Sequence, residues 1–457
     1  MGGLFGAIQV SLQNLSNMQT ALGVVNENVA NVNTPGYSRK RIIYAPGPYE
    51  QRPYGMLGTG AQIERVESIR DLFLESRIGQ EYQAKGFYEG QQYGVSQLET
   101  IVGATDGSGI PDQLSKFFDS FLELAGDPSS SSLREVTITQ GQQLAQRIQS
   151  SAARLDSLDE ANRALVEDSV NTVNSLLNDI AKVNVKLQPL LKQGMDGGPL
   201  YDERQQLLNQ LNEEMSVQVS EDQSHNMVIT TTSGRLLLMG TEVTGLSTQK
   251  TMDGTTVLHE GMDITSEING GKMGGLLDFQ QSTLASTRAA LNSLAAELVS
   301  TVNAAHHNGV DLNGDEGGDF FSATAGNEAR TISVAVTDYR KLAAAAPGGG
   351  VGDGTNAQAM ADLRDLKVAG LGNETFGDYY SQIVFDVGMA SKGIQSNLDL
   401  QDQILRQLED QRESVSGVSL DEEAVNLMQY QRSYQASSRL LQVLDSLLEE
   451  TLNIVNP

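Results

Sequence analysis

Asp311-Leu312-Asn313-Gly314-Asp315-Glu316-Gly317 places side-chain oxygens at positions one, three and five of a possible calcium loop. A twelve-residue calcium loop also needs Gly at position six and a bidentate Glu at position twelve. Glu316 and Ser322 stand there instead, so the stretch reads as a structural turn. His306 and His307 are adjacent, and a helix turning about 100° per residue points them apart, so they cannot make the i, i+4 face that zinc uses. They read as the polar end of a helix. Gly55, Gly58 and Gly60 do not fit a dinucleotide fingerprint, and no Walker sequence occurs. Asp421, Glu422 and Glu423 are consecutive carboxylates that suit the positive end of the last helix, and they read as a solvated helix start rather than as an acid and base. His225 and His259 have no recognisable partner set. The residues thus offer no catalytic, cofactor-binding or metal-ligating constellation, and the chain reads as a non-enzyme.

Composition excludes further classes. Acidic residues outnumber basic ones by 58 to 31, a formal charge of −27 over 457 residues. Such a surface repels nucleic acid and anionic membranes, so no nucleic acid and no membrane is expected as a partner. Cysteine and tryptophan are absent and aromatics make up 5%, which argues against thiol chemistry, base stacking and a sugar cleft. The opening Met-Gly-Gly-Leu-Phe-Gly-Ala-Ile lacks the basic start and unbroken apolar run of a cleaved leader, and no segment approaches the length of a membrane-spanning helix.

Two helices at the ends of the chain must therefore carry the function. Ile8, Leu15, Leu22 and Val29 form one column of seven-residue spacing, with Leu4, Met18, Val25 and Val32 as a second interrupted by Ser11. Leu420, Leu427, Tyr434, Leu441, Leu448 and Val455 keep the same period, flanked by Ala424, Tyr430, Leu444 and Leu452. A period of seven holds an apolar stripe against a partner helix along its length. Leu4, Ile8, Leu15, Met18, Leu22, Val25 and Val29, with the six residues of the C-terminal column, are accordingly the candidate subunit interface. The expectation is that the termini order on assembly; an intramolecular helix pair is the alternative. Further columns at Val166, Val173, Ile180 and Leu187, and at Leu277, Leu284, Leu291, Leu298 and Ala305, predict more packed helices. Residues 215–270 are rich in β-branched residues and turn dipeptides and read as a small antiparallel β region. The first long internal helix should stop at Gly194 to Pro199, a short strand should run from Thr331 to Val336, and Pro347 to Gly354 should be a loop.

Asn31-Val32-Asn33-Thr34-Pro35-Gly36-Tyr37-Ser38-Arg39 follows the first helix directly. Asn33 and Thr34 can bond the last carbonyls, Pro35 forbids continuation, and Gly36 supplies a positive φ. The run Ala30 to Tyr37 resembles the motif closing the first helix of the bacterial flagellar axial proteins. Its extension Ser38-Arg39 is similar to the hook-associated protein 1 branch of that family. The same branch is matched by Gly417-Val418-Ser419-Leu420-Asp421-Glu422-Glu423-Ala424, Tyr430-Gln431 and Tyr434-Gln435-Ala436-Ser437. Gly58-Thr59-Gly60, Arg70 to Leu74, Asp202 to Leu208, and Val302-Asn303 through His306 to Asp311-Leu312-Asn313-Gly314 match it internally. Lys40 stands where the family often has Gln.

The resemblance implies a mainly α fold: long terminal coiled-coil helices plus a multi-helix, rod-like middle domain with a small antiparallel β region. It implies a terminal inner-tube layer from residues 1–40 with 415–457, a helical middle domain from 41–214 with 271–414, and a β-rich region at 215–270. Asn31, Asn33, Thr34, Pro35, Gly36, Tyr37 and Arg39 would form the elbow between layers. The implied function is that of a structural subunit in the hook–filament junction ring, required for filament assembly, with a hook or distal rod subunit as the alternative. Implied partners are the hook protein, the second hook–filament junction protein, further copies of the chain, and an export chaperone on the C-terminal helix. The implied location is extracellular, on the flagellum, after type III export without a cleaved signal. An enzyme carried on an axial scaffold and a secreted coiled-coil adhesin fit the ordered motifs less well.

Overall fold

The computed structural model describes residues 2–52, 55–103, 109–222, 226–251 and 254–455. Helix α1 (Gly2–Ala30) leads into four strands, β1 (Lys40–Pro46), β2 (Tyr49–Arg52), β3 (Gly55–Gly58) and β4 (Ala61–Ser68). Helices α2 (Leu72–Val102), α3 (Ile110–Gly126), α4 (Ser131–Lys192) and α5 (Pro199–Glu214) follow. Strands β5 (Val217–Glu221), β6 (Met227–Thr231), β7 (Leu236–Met239), β8 (Glu242–Val243), β9 (Leu246–Thr251), β10 (Gly254–His259) and β11 (Met262–Asp263) precede α6 (Gly271–Phe279) and α7 (Ala285–His307). The chain ends with β12 (Phe321–Ser322), α8 (Glu328–Thr331), β13 (Ser333–Val334), α9 (Thr355–Asp362), α10 (Phe376–Ser416) and α11 (Leu420–Val455).

The chain forms two compact units. One holds the residues up to Ala84, Thr172–Gly245 and those from Gln401 onward; the other holds Lys85–Asn171 and Leu246–Leu400. In the first unit α1 packs along α11. Strands β1 and β4 pair antiparallel, as do β2 and β3, so the described residues of 40–68 form a ribbon of two strand pairs. These strands open the span 41–214, which the resemblance assigns to a helical middle domain. Ile42, Ile43 and Tyr44, followed by Pro46, Gly47 and Pro48, carry β preference and turn chemistry at a length too short for a helical pattern. A four-stranded sheet in the order β5-β6-β7-β8 completes this unit.

The second unit owns the larger core. Phe117, Phe118 and Phe121 of α3 meet Phe320, Phe321 and Phe376, with ring centroids 4.8–6.2 Å apart among the pairs. Each such buried ring contributes roughly 1.5–3 kcal/mol over exposure. Glycines bring α2 and α6 to backbone contact: a Cβ on Gly275 would lie 2.0 Å from the Phe87 carbonyl oxygen, and one on Gly94 would lie 2.4 Å from the Phe279 ring. A π-helical turn at Gln280–Leu284 joins α6 to α7, while Leu277, Leu284, Leu291 and Leu298 all stay buried across it.

Strands β9, β10 and β11 form a three-stranded sheet in this second unit. The β-rich stretch at 215–270 is therefore two sheets belonging to two units, because alternation reveals strands but not which sheet they join. The strand expected from Thr331 to Val336 shrinks to Ser333–Val334, Thr331 closing the short helix α8. Helix α4 ends at Lys192, beside the expected breaker.

Candidate functional site

The turn after α1 is tied to several distant parts of the first unit. Asn31, rather than Asn33, caps the helix: its Nδ2 donates to the Glu27 carbonyl at 2.9 Å and its Oδ1 accepts from Thr34 Oγ1 at 3.2 Å. Asn33 is exposed. Gly36 adopts φ 78°, the left-handed region that glycine tolerates without strain. The Pro35 carbonyl accepts from Gln206 Nε2 at 2.7 Å, and the Gly36 carbonyl from Arg412 at 2.7 Å. The Arg412 guanidinium also holds Glu75 at 2.6 Å.

Beyond the turn, ion pairs take over. Ser38 donates through its backbone N–H and its hydroxyl to the two oxygens of Asp202, at 3.1 and 2.8 Å, and Arg70 donates to the same carboxylate at 2.6 Å. Arg39 donates through Nε to Glu423 at 2.7 Å and pairs with Glu422 as well. Its backbone N–H reaches the Ser416 carbonyl and its carbonyl accepts from Ile69, both at 2.8 Å. Buried Asn28 accepts from the Lys40 N–H at 3.0 Å and donates to the Lys40 carbonyl at 2.9 Å. It also accepts from the Tyr37 hydroxyl at 3.0 Å. Burial, then the carboxylates of Glu27, Asp202 and Glu423, push the Tyr37 phenol far above its ordinary range, so it stays a neutral donor. Burial works against the Arg39 charge, but the bonds and charges of Glu422 and Glu423 outweigh it and raise its pKa.

This arrangement corrects the view of Asp421 to Glu423 as a solvated helix start. Glu423 is 1% exposed and paired, whereas the Glu422 side chain is 62% exposed. Arg39, the partner of Glu423, lies 384 residues away in sequence, so no local pattern could have revealed the pair. Ser38 with Asp202 and Glu75 with Arg412 escaped for the same reason.

The terminal helices present two apolar faces. Towards each other they bury Met18, Ala21 and Val25 on α1, and Ser437, Leu444 and Glu423 on α11, with Asn14 donating to Ser437 Oγ at 3.2 Å. Leu4, Ile8, Leu15 and Leu22 are half-buried, as are Leu427, Tyr434, Leu441 and Leu448; Val29 and Leu420 are exposed. The side chain of Val455 lies outside the described residues. A second face points to solvent: Val425, Met428, Leu440, Val443 and Leu447 of α11 are 45–57% exposed, and Phe5 and Leu12 of α1 are 58% and 51% exposed. The seven-residue count in a single phase overlooked it, although the three- and four-residue spacings 425–428 and 440–443–447 are legible in the sequence.

Elsewhere, Asp311 accepts from the backbone N–H groups of Asn313 and Asp315 at 2.7 and 3.0 Å, and Gly314 has φ 84°, which is a structural turn. His306 is no polar helix end but wholly buried: Nδ1 meets the Gly318 carbonyl at 2.6 Å and Nε2 accepts from the Ala343 N–H at 2.9 Å. His307 stays exposed beside Asp319. His225 lies outside the described residues. Among the described residues no cluster of three or more potential ligands could hold a metal, and no helix is long and apolar enough to cross a membrane.

Comparison with known proteins places the chain in a family. Residues 95–321 match the flagellar hook-associated protein FlgK helical domain, and residues 410–454 match the C-terminal region of the flagellar basal body rod FlgEFG proteins. A flagellar hook-associated protein 1 of Bacillus subtilis is 28% identical over 503 residues, covering 99% of each chain. The chain belongs to the flagellar hook-associated protein 1 family. Members of that name from Salmonella typhimurium and Escherichia coli are 25% and 24% identical, each covering 98% of this chain and 99% of its own length. A solved structure of the flagellar hook junction protein FlgK from Burkholderia pseudomallei has the same fold, with a TM-score of 0.68 and 16% identity over 74% of this chain and 100% of that one. The mainly α architecture agrees with that family; the hydrogen bonds and ion pairs gathered around Asn31 to Arg39 form a polar knot in the first unit.

Proposed function

We propose that the chain assembles into the ring that joins the flagellar hook to the filament, with residues 1–40 and 415–457 as the layer in which copies pack together. The protein is a structural component of the flagellar hook–filament junction. The observation that carries the packing role is the second apolar face of α11. Five large apolar side chains on the side turned away from α1 are left to water, and contiguous exposed apolar surface of this kind marks an interaction site. In this reading the half-buried column Leu427, Tyr434, Leu441 and Leu448 holds the intramolecular pair together, while Val425, Met428, Leu440, Val443 and Leu447, with Phe5 and Leu12, meet neighbouring copies. Asn31 to Arg39 sets the elbow between this layer and the helical middle. The hook protein and the second junction protein are its neighbours along the axis, and a chaperone covers the C-terminal helix before export to the outside of the cell.

The test is complementation of a strain lacking the chain. Val443→Asp should leave the purified chain folded yet give cells without filaments. Wild-type motility and filament number with that variant would remove this face from the assembly. A hook or distal rod subunit is the second reading, favoured by the match of residues 410–454 to rod proteins; labelling of the chain along the hook or rod, instead of at its distal end, would establish it.

A further inference from the structure

The start of α2 presents an apolar knob that the fold leaves unexplained. Leu72 and Phe73 are 77% and 74% exposed. They are held at the helix N-terminus because Asp71 Oδ1 accepts from the N–H groups of Phe73 and Leu74 at 3.0 and 3.1 Å. Arg77, one turn beyond Phe73, is exposed and has no ion-pair partner among the described residues. The same unit carries a cavity of about 920 Å³ beneath the Asn31 to Tyr37 turn. Val32, Pro35, Ile78 and Tyr82 line it among mostly polar side chains; its carboxylates are Asp202, Glu213, Glu409 and Glu413, against the cation Arg412, and Glu409 and Glu413 are exposed.

Phe73 and Ile78 are five residues apart, so at about 100° per residue they sit about 140° apart around α2. One chain therefore cannot fill its own groove with its own knob. An exposed pair with a cation beside it, and a groove of mixed lining whose carboxylates outnumber its one cation, are complementary in charge, and Val32, Pro35 and Ile78 offer the pair apolar contact. Two such patches on different sides of one molecule make a heterologous contact, the kind that generates rings and helical arrays.

We propose that Leu72, Phe73 and Arg77 of one copy dock in the groove beneath the Asn31 to Tyr37 turn of the next, with Arg77 facing Glu409 and Glu413. The contact rests on the assembly reading above and adds to it a specific head-to-tail partner surface, a second copy of this chain.

The chain has no cysteine, so disulfide trapping is clean. A chain carrying both Phe73→Cys and Gln210→Cys, Gln210 lining the groove, is expressed in place of the wild type, and hook–filament structures are isolated and oxidised. A ladder at multiples of 49.1 kDa is expected, absent with either single variant. Incorporation without a ladder, or a cross-link of other mass, overturns the contact while leaving the assembly reading intact. Absence of the chain from hook–filament structures isolated in parallel from cells that make the wild type overturns the assembly reading itself. Independently, Arg77→Glu should lower the copies incorporated by roughly tenfold through like-charge apposition, and Glu409→Arg with Glu413→Arg should restore them. Failure of that reversal to rescue also overturns the pairing.

Discussion

Glu422 and Glu423 are adjacent, chemically identical and paired to the same guanidinium, yet the structure predicts that they differ sharply in worth. Glu423 is buried, and Arg39 is 18% exposed at its side chain. Removing one partner of a buried pair costs about 3–5 kcal/mol because the other charge is left without solvent. Arg39 keeps Glu422 as a fallback, so about 2–3 kcal/mol is expected for Glu423→Ala. Glu422 is largely in water, and Glu422→Ala should cost less than about 1 kcal/mol. With two compact units, a single global unfolding free energy is poorly defined. The informative assay is hydrogen exchange of the amides at 36–42 and 417–427 in the full chain. Glu423→Ala should accelerate exchange there about 30- to 150-fold, since 1.4 kcal/mol is tenfold, with Glu422→Ala changing it less than about tenfold. Equal acceleration by the two variants, or a larger effect from Glu422→Ala, would refute the claim that the buried Arg39 bridge ties the turn to α11.

Asn28→Ala should be nearly as damaging. It strands the Lys40 N–H and carbonyl together with the Tyr37 hydroxyl, at about 1–3 kcal/mol per buried group left unpaired, read as faster exchange of residues 37–41. In the second unit, Gly94→Ala should cost about 1–3 kcal/mol of overpacking against the Phe279 ring, and Gly275→Ala more, because its Cβ meets backbone; thermal unfolding of the two variants checks the order. His306 has its pKa lowered from 6.5, chiefly by burial and against the Gly318 hydrogen bond. A histidine with a depressed folded pKa contributes fully above its unfolded value and loses that contribution as pH falls. Exchange at Gly318 and Ala343 should therefore quicken as pH drops below about 6.5, after correction for intrinsic rates, and His306→Gln should remove the slope.

The helical elements were legible because their signals are local. The Pro35-Gly36 stop, the breaker after Lys192 and the seven-residue columns through Val166 and Leu277 all depend on neighbours within one or two turns. The ribbon at 40–68 was also written locally, in Ile42-Ile43-Tyr44 and Pro46-Gly47-Pro48, but its strands are too short to show a period. The knot was not legible at all. Arg39 with Glu423, Ser38 with Asp202 and Arg412 with Glu75 join positions 164–384 residues apart, and a charge in a sequence gives no sign of whether it will be buried. His306 looked polar by composition and proved to be core because the two loops around it supply an acceptor and a donor at opposite ring nitrogens. The terminal faces were half legible: periodicity showed that each helix is apolar, and burial decided which stripe the chain uses for itself.

That division of faces explains why the knot sits where it does. Helix α1 carries one charged residue, Glu27, in 29, so charge along its length does not fix its register on α11, and the neutral Asn14–Ser437 hydrogen bond at 3.2 Å adds a single polar tie to the apolar stripes. The ionic ties that set register lie at an end, the turn at Asn31 to Lys40, where Lys40 pairs with Glu27 and Arg39 bridges to the first turn of α11. With register pinned there, the intramolecular stripe is satisfied in one alignment and Val425, Met428, Leu440, Val443 and Leu447 are left together on the opposite side. A surface that must match copy after copy benefits from being displayed on a pair with one register. Loss of the knot should therefore weaken assembly even where the exposed face itself is untouched.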